Sequence, residues 1–548
     1  MLRRHLQLLA VVQHHRLPLP LPPRRFLAPG SRSSYSSSSS IGLSGGDTIY
    51  ALSTGLGRAA IAVIRVTGPA CLDVYRSLCP GEAPPLPRKA TIRTLRDDRD
   101  QVLDPQALVL FFPAPRTVTG QDVLELQVHG GPATVRAVLA AVPRCGGGQG
   151  RVRYAEPGEF TRRAFFHGRL ELAQVEALGD TLAAETEQQR RAAVGGSSGA
   201  LGRRYEGWRR QLLEARAELE ALIDFSEDQH FDEAPTELLR GVVVRVEAMR
   251  KAMRLHDEMA GRGELLRRGI RVALLGPPNV GKSSLMNLIV GREASIVSAE
   301  AGTTRDVVEA GLDLGGYLCS FADTAGFRGG EGDGGDEDGK KKEDVVGAVE
   351  AEGIRRARQQ AQDAHVVVVM ASIEGGPRIV YDEETLRLAS QAEARLIVVN
   401  KSDAVAADQG EELVRRFHEE TLARHGPVLA AAPRPLLISC AERADCDDDG
   451  RGARAVVEAL MESFSRMTYV DDEMLLGVTE RQRQLLARCR EHLDGFDAEA
   501  SRAEPDVVLV AEYLRLAADC LACITGRVEG GDVEELLGVV FERFCVGK

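Results

Sequence analysis

The sequence predicts a multidomain protein, α+β and α/β in class, and three observations predict it. At 548 residues the chain exceeds what one hydrophobic core sustains, so two or three domains are expected. Short apolar runs punctuated by Pro and Gly fill residues 47–163, while helical periodicity sets in from residue 164 and again from 453. Between those helical blocks, over residues 267–452, apolar strands each end in a polar signature.

Residues 1–46 carry six arginines, many serines and no acidic side chain before Asp47. Their apolar run Leu6 to Val12 is short and soon followed by His14, His15 and Arg16. This is transit-peptide composition, which predicts import into mitochondria and removal; the alternative is a disordered tail on a cytosolic protein. In the β-rich unit Thr48 to Leu52, Ala60 to Val66, Ala107 to Phe112 and Val123 to Val128 read as strands, with a helix from Pro132 to Val142.

In the first helical block Trp208, Leu212, Ala215, Leu219 and Leu222 step by four and three, so they share one stripe. Val507, Val510, Leu514, Ala517, Leu521 and Ile524 form a second. Two amphipathic blocks each need a covering partner, and packing on each other makes the intervening segment an insertion in one helical domain. Cys520 and Cys523, a C-x-x-C pair inside this pattern, read as a buried helix face rather than a zinc site.

Composition excludes several classes. No apolar run spans a bilayer. A net charge of -12 argues against a protein that coats nucleic acid electrostatically, so any RNA contact is local or shared with a partner. Ten cysteines without framework spacing suit a reducing compartment.

The chemistry lies in the inserted segment. Arg271 to Leu275 runs into Gly276-Pro-Pro-Asn-Val-Gly-Lys-Ser283, a full G-x-x-x-x-G-K-S phosphate loop. Its glycines turn backbone N–H groups inward around an anion and the following helix points its positive end at the same phosphates. Lys282 neutralises the β and γ oxygens and the Ser283 hydroxyl ligates magnesium. Asp323-Thr324-Ala325-Gly326 follows the strand Leu318 to Phe321 and faces the magnesium shell and γ-phosphate. Asn400-Lys401-Ser402-Asp403 ends the strand Leu396 to Val399, where the Asp403 carboxylate accepts the paired N–H donors of guanine. Ser439-Cys440-Ala441, after the strand Leu436 to Ile438, occupies the place of the backbone contact to the guanine carbonyl.

Ras-like switches carry a water-orienting glutamine after D-x-x-G, and Phe327 stands there instead. Asn279 offers a side-chain carbonyl for a monovalent cation beside the phosphates, or serves only as a loop former; Glu343, Glu350 and Glu352 are acidic alternatives, or a solvated helix face.

These motifs resemble the MnmE (TrmE) family of tRNA-modification GTPases, and with its leader the chain resembles the mitochondrial members. The resemblance rests on Gly57 to Arg65, Asp122 to Gly131, Pro157 to Phe165, the phosphate loop, Gly302-Thr-Thr-Arg-Asp306 and the terminal Cys545-Val-Gly-Lys548. It implies an N-terminal folate-binding and dimerisation domain at 47–163, a helical domain in two halves at 164–266 and 453–548, and an inserted Ras-like phosphate-loop G domain at 267–452. It further implies that 5-formyl- or methylene-tetrahydrofolate is held by Arg65, Glu125, Arg169 and Lys548. Nucleotide contacts are implied for Asn279, Val280, Gly281, Lys282, Ser283, Ser284, Ser298, Thr303, Thr304, Asp323 to Gly326, Asn400 to Asp403 and Ser439 to Ala441. Magnesium falls to Ser283 and Thr304, potassium to Asn279, Ser298, Glu300 and Thr303, and catalysis to Glu350 with Asn279.

In this family potassium bridges a homodimer of G domains, an FAD-containing MnmG (GidA) protein is the partner, and C5 of the tRNA wobble uridine is modified. For a mitochondrial member the added group is taurine-derived and the location the matrix. Gly55-Leu-Gly57 stands where the family has Pro-Pro-Gly, Arg169 where it has lysine, and the segment Gly329 to Asp344 lies outside the likeness. A GTP-dependent ribosome-assembly or translation switch is the alternative, but such proteins carry a basic RNA-binding appendage.

Overall fold

The computed structural model describes residues 46–145, 151–225, 235–297, 311–322, 355, 358–441, 452–470, 477–527, 540, 541, 544 and 547. The first sheet is built from β1 (Thr48–Leu52), β2 (Ile61–Thr67), β3 (Thr91–Arg96), β4 (Val102–Phe112), β5 (Val123–His129) and β6 (Val152–Tyr154), in the order β3-β4-β5-β2-β1-β6. All pairs are antiparallel except β1 with β6. Alternation in β2 sends Ile64 and Val66 inward, where Leu124 and Leu126 of β5 join them beneath helices α1 (Cys71–Leu78) and α2 (Pro132–Ala141). Three of these elements were hidden in the sequence, and β6 has only three residues. In β3, Thr-Ile-Arg-Thr-Leu-Arg, only Leu95 is buried, and α1 is eight residues without a side-chain cap.

Helix α3 (Glu159–Phe166) closes this unit through charge. The Glu159 carboxylate, 1% exposed, takes two N–H bonds from Arg153 at 2.9 and 2.6 Å and one from Arg163 at 3.0 Å. Arg163 also donates to the Asp47 carbonyl and the Gln121 side chain, both at 2.9 Å, which ties α3 to β1 and to the loop before β5. Burial alone would raise the Glu159 pKa, but the bonds from Arg153, the Glu156 N–H and Arg163 outweigh it and hold the carboxyl below its ordinary range.

Four helices follow: α4 (Leu172–Ala183), α5 (Glu187–Ser197), α6 (Ala200–Phe225) and α7 (Pro235–Arg268). The second sheet comes next, with β7 (Ile270–Leu275), helix α8 (Lys282–Leu288), β8 (Ala294–Ile296), β9 (Gly311–Leu314), β10 (Tyr317–Ala322), β11 (Val366–Ile373) and β12 (Ile379–Val380). It is completed by α9 (Glu383–Gln391), β13 (Ala394–Asn400), α10 (Ala407–Arg416) and β14 (Leu436–Leu437). The strand order is β14-β13-β11-β7-β10-β9-β8, parallel from β14 to β10, with β12 on β11. β11 is buried at every residue, as a central parallel strand covered on both faces must be.

Three long helices end the described chain: α11 (Ala453–Thr468), α12 (Glu480–Ala500) and α13 (Val507–Thr525). Leu212, Ala215, Leu219 and Leu222 of α6 share one core with Val246 and Met253 of α7, Leu486 and Leu493 of α12, and Val510, Leu514, Leu521 and Ile524 of α13. Helices before and after the second sheet thus bury each other's stripes, the pairing expected of two amphipathic blocks. The expected second half from 453 differs at its start. Val456, Val457, Leu460 and Phe464 of α11 pack on Ile270, Val272 and Leu312 of the second sheet. Its apolar face shares that core with Leu285 and Met286 of α8. Near the chain end Val540, Phe541 and Phe544 dock against Leu172 and Val175 of α4.

Candidate functional site

β7 lies between β10 and β11, so the loop it feeds opens at the carboxyl end of a parallel sheet, where α/β folds bind ligands. Two glycines there are sterically required. Gly276 has φ +149°, and a Cβ on it would stand 2.4 Å from the Met370 carbonyl oxygen. Gly281, φ +104°, would place a Cβ 2.2 Å from the Asn400 side-chain nitrogen. Asn279 sits at φ +61°, the left-handed region that asparagine tolerates best after glycine. Its side chain is exposed at the loop's crest, Val280 is buried beneath it, and Ser283 and Ser284 are exposed at the start of α8. Lys282 folds back over the loop and donates to the carbonyls of Gly276 at 2.7 Å and Pro277 at 2.8 Å.

Asn400, 2% exposed, joins the parts of the site. Its Nδ2 donates to the Val280 carbonyl at 2.8 Å and its Oδ1 accepts the Cys440 N–H at 3.0 Å. One amide therefore spans the phosphate loop, the end of β13 and the segment after β14. Lys401 is at φ +65°, and its ammonium bonds Glu374 at 2.5 Å. That bond, aided by the Ser372 hydroxyl, holds the Glu374 carboxyl below its usual range. The Ser402 N–H donates to the Ile438 carbonyl at 3.0 Å. Ser439 Oγ donates to Asp403 Oδ1 at 2.5 Å, leaving the second carboxylate oxygen of an exposed residue for a ligand, and accepts the Ala441 N–H at 3.3 Å. Burial pushes the Cys440 thiol up to about 11, so it stays protonated and serves as packing.

Glu374 is the residue that sequence reasoning missed. It stands 27 positions from Lys401 in a bend after β11, and no local pattern marks it. Ser298, Glu300, Thr303, Thr304, Asp323, Thr324, Ala325, Gly326, Phe327, Glu343, Glu350, Glu352, Cys545 and Lys548 lie outside the described residues, as does the segment Gly329 to Asp344.

A second polar patch lies on the outer face of the first sheet. Arg65 donates through two nitrogens to Glu125 Oε1 at 3.0 and 2.9 Å, across the β2–β5 pair that sets them opposite. Gly547 approaches the same strands: its carbonyl accepts the Ser53 hydroxyl at 2.9 Å, and a Cβ on it would be 2.1 Å from the Leu52 carbonyl oxygen. Ala51, the register partner of Arg65, lies beside Gly547, so the chain end reaches the strand pair that carries the ion pair. Arg169 is anchored on the Thr117 carbonyl at 2.9 Å. Gly158, φ +67°, admits the Phe541 carbonyl where a Cβ would sit 2.3 Å away, which accounts for glycine before Glu159.

A glycine-walled anion loop at the head of a parallel sheet, tied by an amide to a carboxylate-bearing base crevice, defines a phosphate-loop nucleotide-binding protein. Residues 48–169 match the family described as the GTP-binding protein TrmE N-terminus, and residues 172–545 match the MnmE helical domain. A tRNA modification GTPase MnmE of Parvibaculum lavamentivorans is 40% identical over 92% of this chain and 100% of its own length. The 5-taurinomethyluridine-[tRNA] synthase subunit GTPB3, mitochondrial, of Homo sapiens is 39% identical over 92% of this chain and 94% of its own, and that of Danio rerio 37% identical over the same shares. The chain belongs to the MnmE family.

Proposed function

We propose that this protein is the GTP-hydrolysing component of a mitochondrial complex that modifies C5 of the wobble uridine in tRNA, with a taurinomethyl or carboxymethylaminomethyl type of product. The chain is a GTPase of the tRNA-modification class. The observation that carries this reading is the Asn400 tie, which joins the phosphate loop to the end of β13 and the segment after β14, on a chain that matches tRNA modification GTPases along nearly its whole length.

In the proposed mechanism the loop N–H groups and Lys282 hold the phosphates, and Asp403 with the backbone of Ser439 to Ala441 selects guanine. The residues fit magnesium: Ser283 is an exposed hydroxyl at the helix start, with Thr304 and the Asp323 motif as its counterparts. Bound magnesium would neutralise charge on the phosphate oxygens. Asn279, on the crest of the loop, is assigned with Ser298, Glu300 and Thr303 to potassium at a G-domain dimer contact, and Glu350 to the orientation of the attacking water in place of the missing glutamine.

The Arg65–Glu125 pair, Arg169 and Lys548 are assigned to a reduced folate, 5-formyl- or methylene-tetrahydrofolate, whose mixed charges suit a guanidinium beside a carboxylate. An FAD-containing MnmG-family protein, mitochondrial tRNA and a second copy of this chain are the partners. Import into the matrix is supported by the arginine- and serine-rich leader and by relatives named as mitochondrial.

Mass spectrometry of wobble uridines in mitochondrial tRNA from cells lacking this protein tests the reading. Loss of the C5 substituent is expected, and normal modification overturns it. GTP hydrolysis by the purified chain should run faster in potassium than in sodium, with Asn279→Ala erasing the difference while nucleotide still binds. An unchanged ratio removes Asn279 from the cation site.

A further inference from the structure

A cavity of about 380 Å³ lies within the helical domain, and neither the phosphate loop nor the Arg65–Glu125 pair lines it. It opens where the start of α4, the first turns of α6 and the end of α13 meet, and its walls carry Glu171, Gly202, Arg203, Glu206, Arg210 and Arg527. That volume falls in the range of small-ligand pockets.

Its charges are arranged in two groups. Glu171 and Glu206 each have one carboxylate oxygen, Oε2, that is buried and accepts no hydrogen bond among the described residues. Glu206 uses its other oxygen on Arg209 at 3.1 Å and Arg527 at 3.2 Å. Glu171 Oε2 lies against Gly202, where a Cβ would stand 2.1 Å away, so glycine on α6 makes room for that carboxylate. The terminal carboxylate torsion is soft enough to turn such an oxygen toward a donor in the cavity. Opposite in sign, Arg210 is exposed and forms no ion pair or hydrogen bond among the described residues, and Arg203 reaches only the Ser198 carbonyl, at 3.5 Å.

The walls are fixed. Arg481 bonds the Cys523 carbonyl at 3.1 Å and the Ile524 carbonyl at 3.2 Å at the end of α13 while paired with Glu176 of α4. Neither a simple anion nor a simple cation suits this lining. Two carboxylates repel a polyphosphate, and three guanidiniums repel an amine.

We infer that the cavity binds a small zwitterion, an aminoalkyl sulfonate or amino acid, with its ammonium on Glu171 and Glu206 and its anionic end on Arg203 and Arg210. This deepens the proposed function, since an amine with an acidic terminus is what a taurinomethyl or carboxymethylaminomethyl substituent is made from.

Isothermal titration of the full chain with taurine and with glycine, without tRNA or partner protein, tests it. Saturable binding of at least one is expected, and ethanesulfonate and ethylamine, which each carry half of the charge pair, should bind at least about tenfold more weakly. Glu206→Gln, Gly202→Ala and Arg210→Ala should each weaken binding of the zwitterion by about tenfold while GTP hydrolysis, measured on the same samples as proof of folding, is unchanged. Absence of binding by both zwitterions overturns the inference, as do half-ligands that bind equally well or variants that bind like the parent. The tRNA readout above is independent, so failure here with intact dependence of uridine modification on this chain removes only the cavity's role.

Discussion

Replacing Asn400 by alanine should separate the phosphate loop from the base crevice. The side chain is 2% exposed and makes two bonds, to the Val280 carbonyl at 2.8 Å and from the Cys440 N–H at 3.0 Å. Alanine leaves both backbone groups buried without partners, at roughly 1–3 kcal/mol each, and water entering the vacated space returns part of that. A net loss of about 2–4 kcal/mol follows. The strands themselves keep their ladders, so the loss concentrates in the two segments that Asn400 joins. If half of it appears in binding, guanine-nucleotide affinity falls by roughly 5–30-fold, at 1.4 kcal/mol per factor of ten. Fluorescent GDP titration in magnesium and urea unfolding of the same variant measure the two parts. An Asn400→Ala protein within twofold of the parent in affinity, with an unshifted unfolding midpoint, would refute the reasoning.

Three further outcomes are expected, two from the structure and one from the proposed function. Glu159→Gln should destabilise the N-terminal unit by about 3 kcal/mol at neutral pH, since Arg153 and Arg163 lose their shared carboxylate. Because the folded-state pKa of Glu159 is lowered, its contribution is present above the ordinary glutamate range and vanishes as pH falls through the lowered value. The gap between parent and variant melting temperatures should therefore close in acid, and a gap constant with pH contradicts the assignment. Phe544→Ala removes a ring that is 6% exposed beside Gly179 of α4, and should lower hydrogen-exchange protection at Phe541 and Gly547 about a hundredfold while leaving β7 unchanged. Unaltered exchange would mean that the tail is held by other contacts. Glu350→Ala should slow single-turnover GTP cleavage and spare GTP affinity, whereas Glu352→Ala should do neither; the reverse pattern would move the catalytic role to Glu352.

Contiguous devices were legible in the amino-acid order. The phosphate loop is a backbone conformation written by Gly276, Gly281 and a flanking apolar strand, and every group it needs lies within eight residues. The two apolar stripes at Leu212 and Leu514 were equally readable, because a helix face is set by spacing alone, and mutual burial was their cheapest outcome.

Pairings across the chain were not written locally. Val280 and Asn400 lie 120 positions apart, and only the parallel order of β7, β11 and β13 brings the amide to the loop. The same holds for Lys401 with Glu374, for Arg65 with Glu125, for α11 choosing the second sheet over the helical core, and for the cavity between α4, α6 and α13. Residue order alone determined where the phosphate-loop motif and the long amphipathic helices lie, since those depend on neighbours in the chain. Which distant side chains meet, and with what charge left over, is decided by strand order and helix packing, because a hydrogen bond or ion pair depends on separation in space.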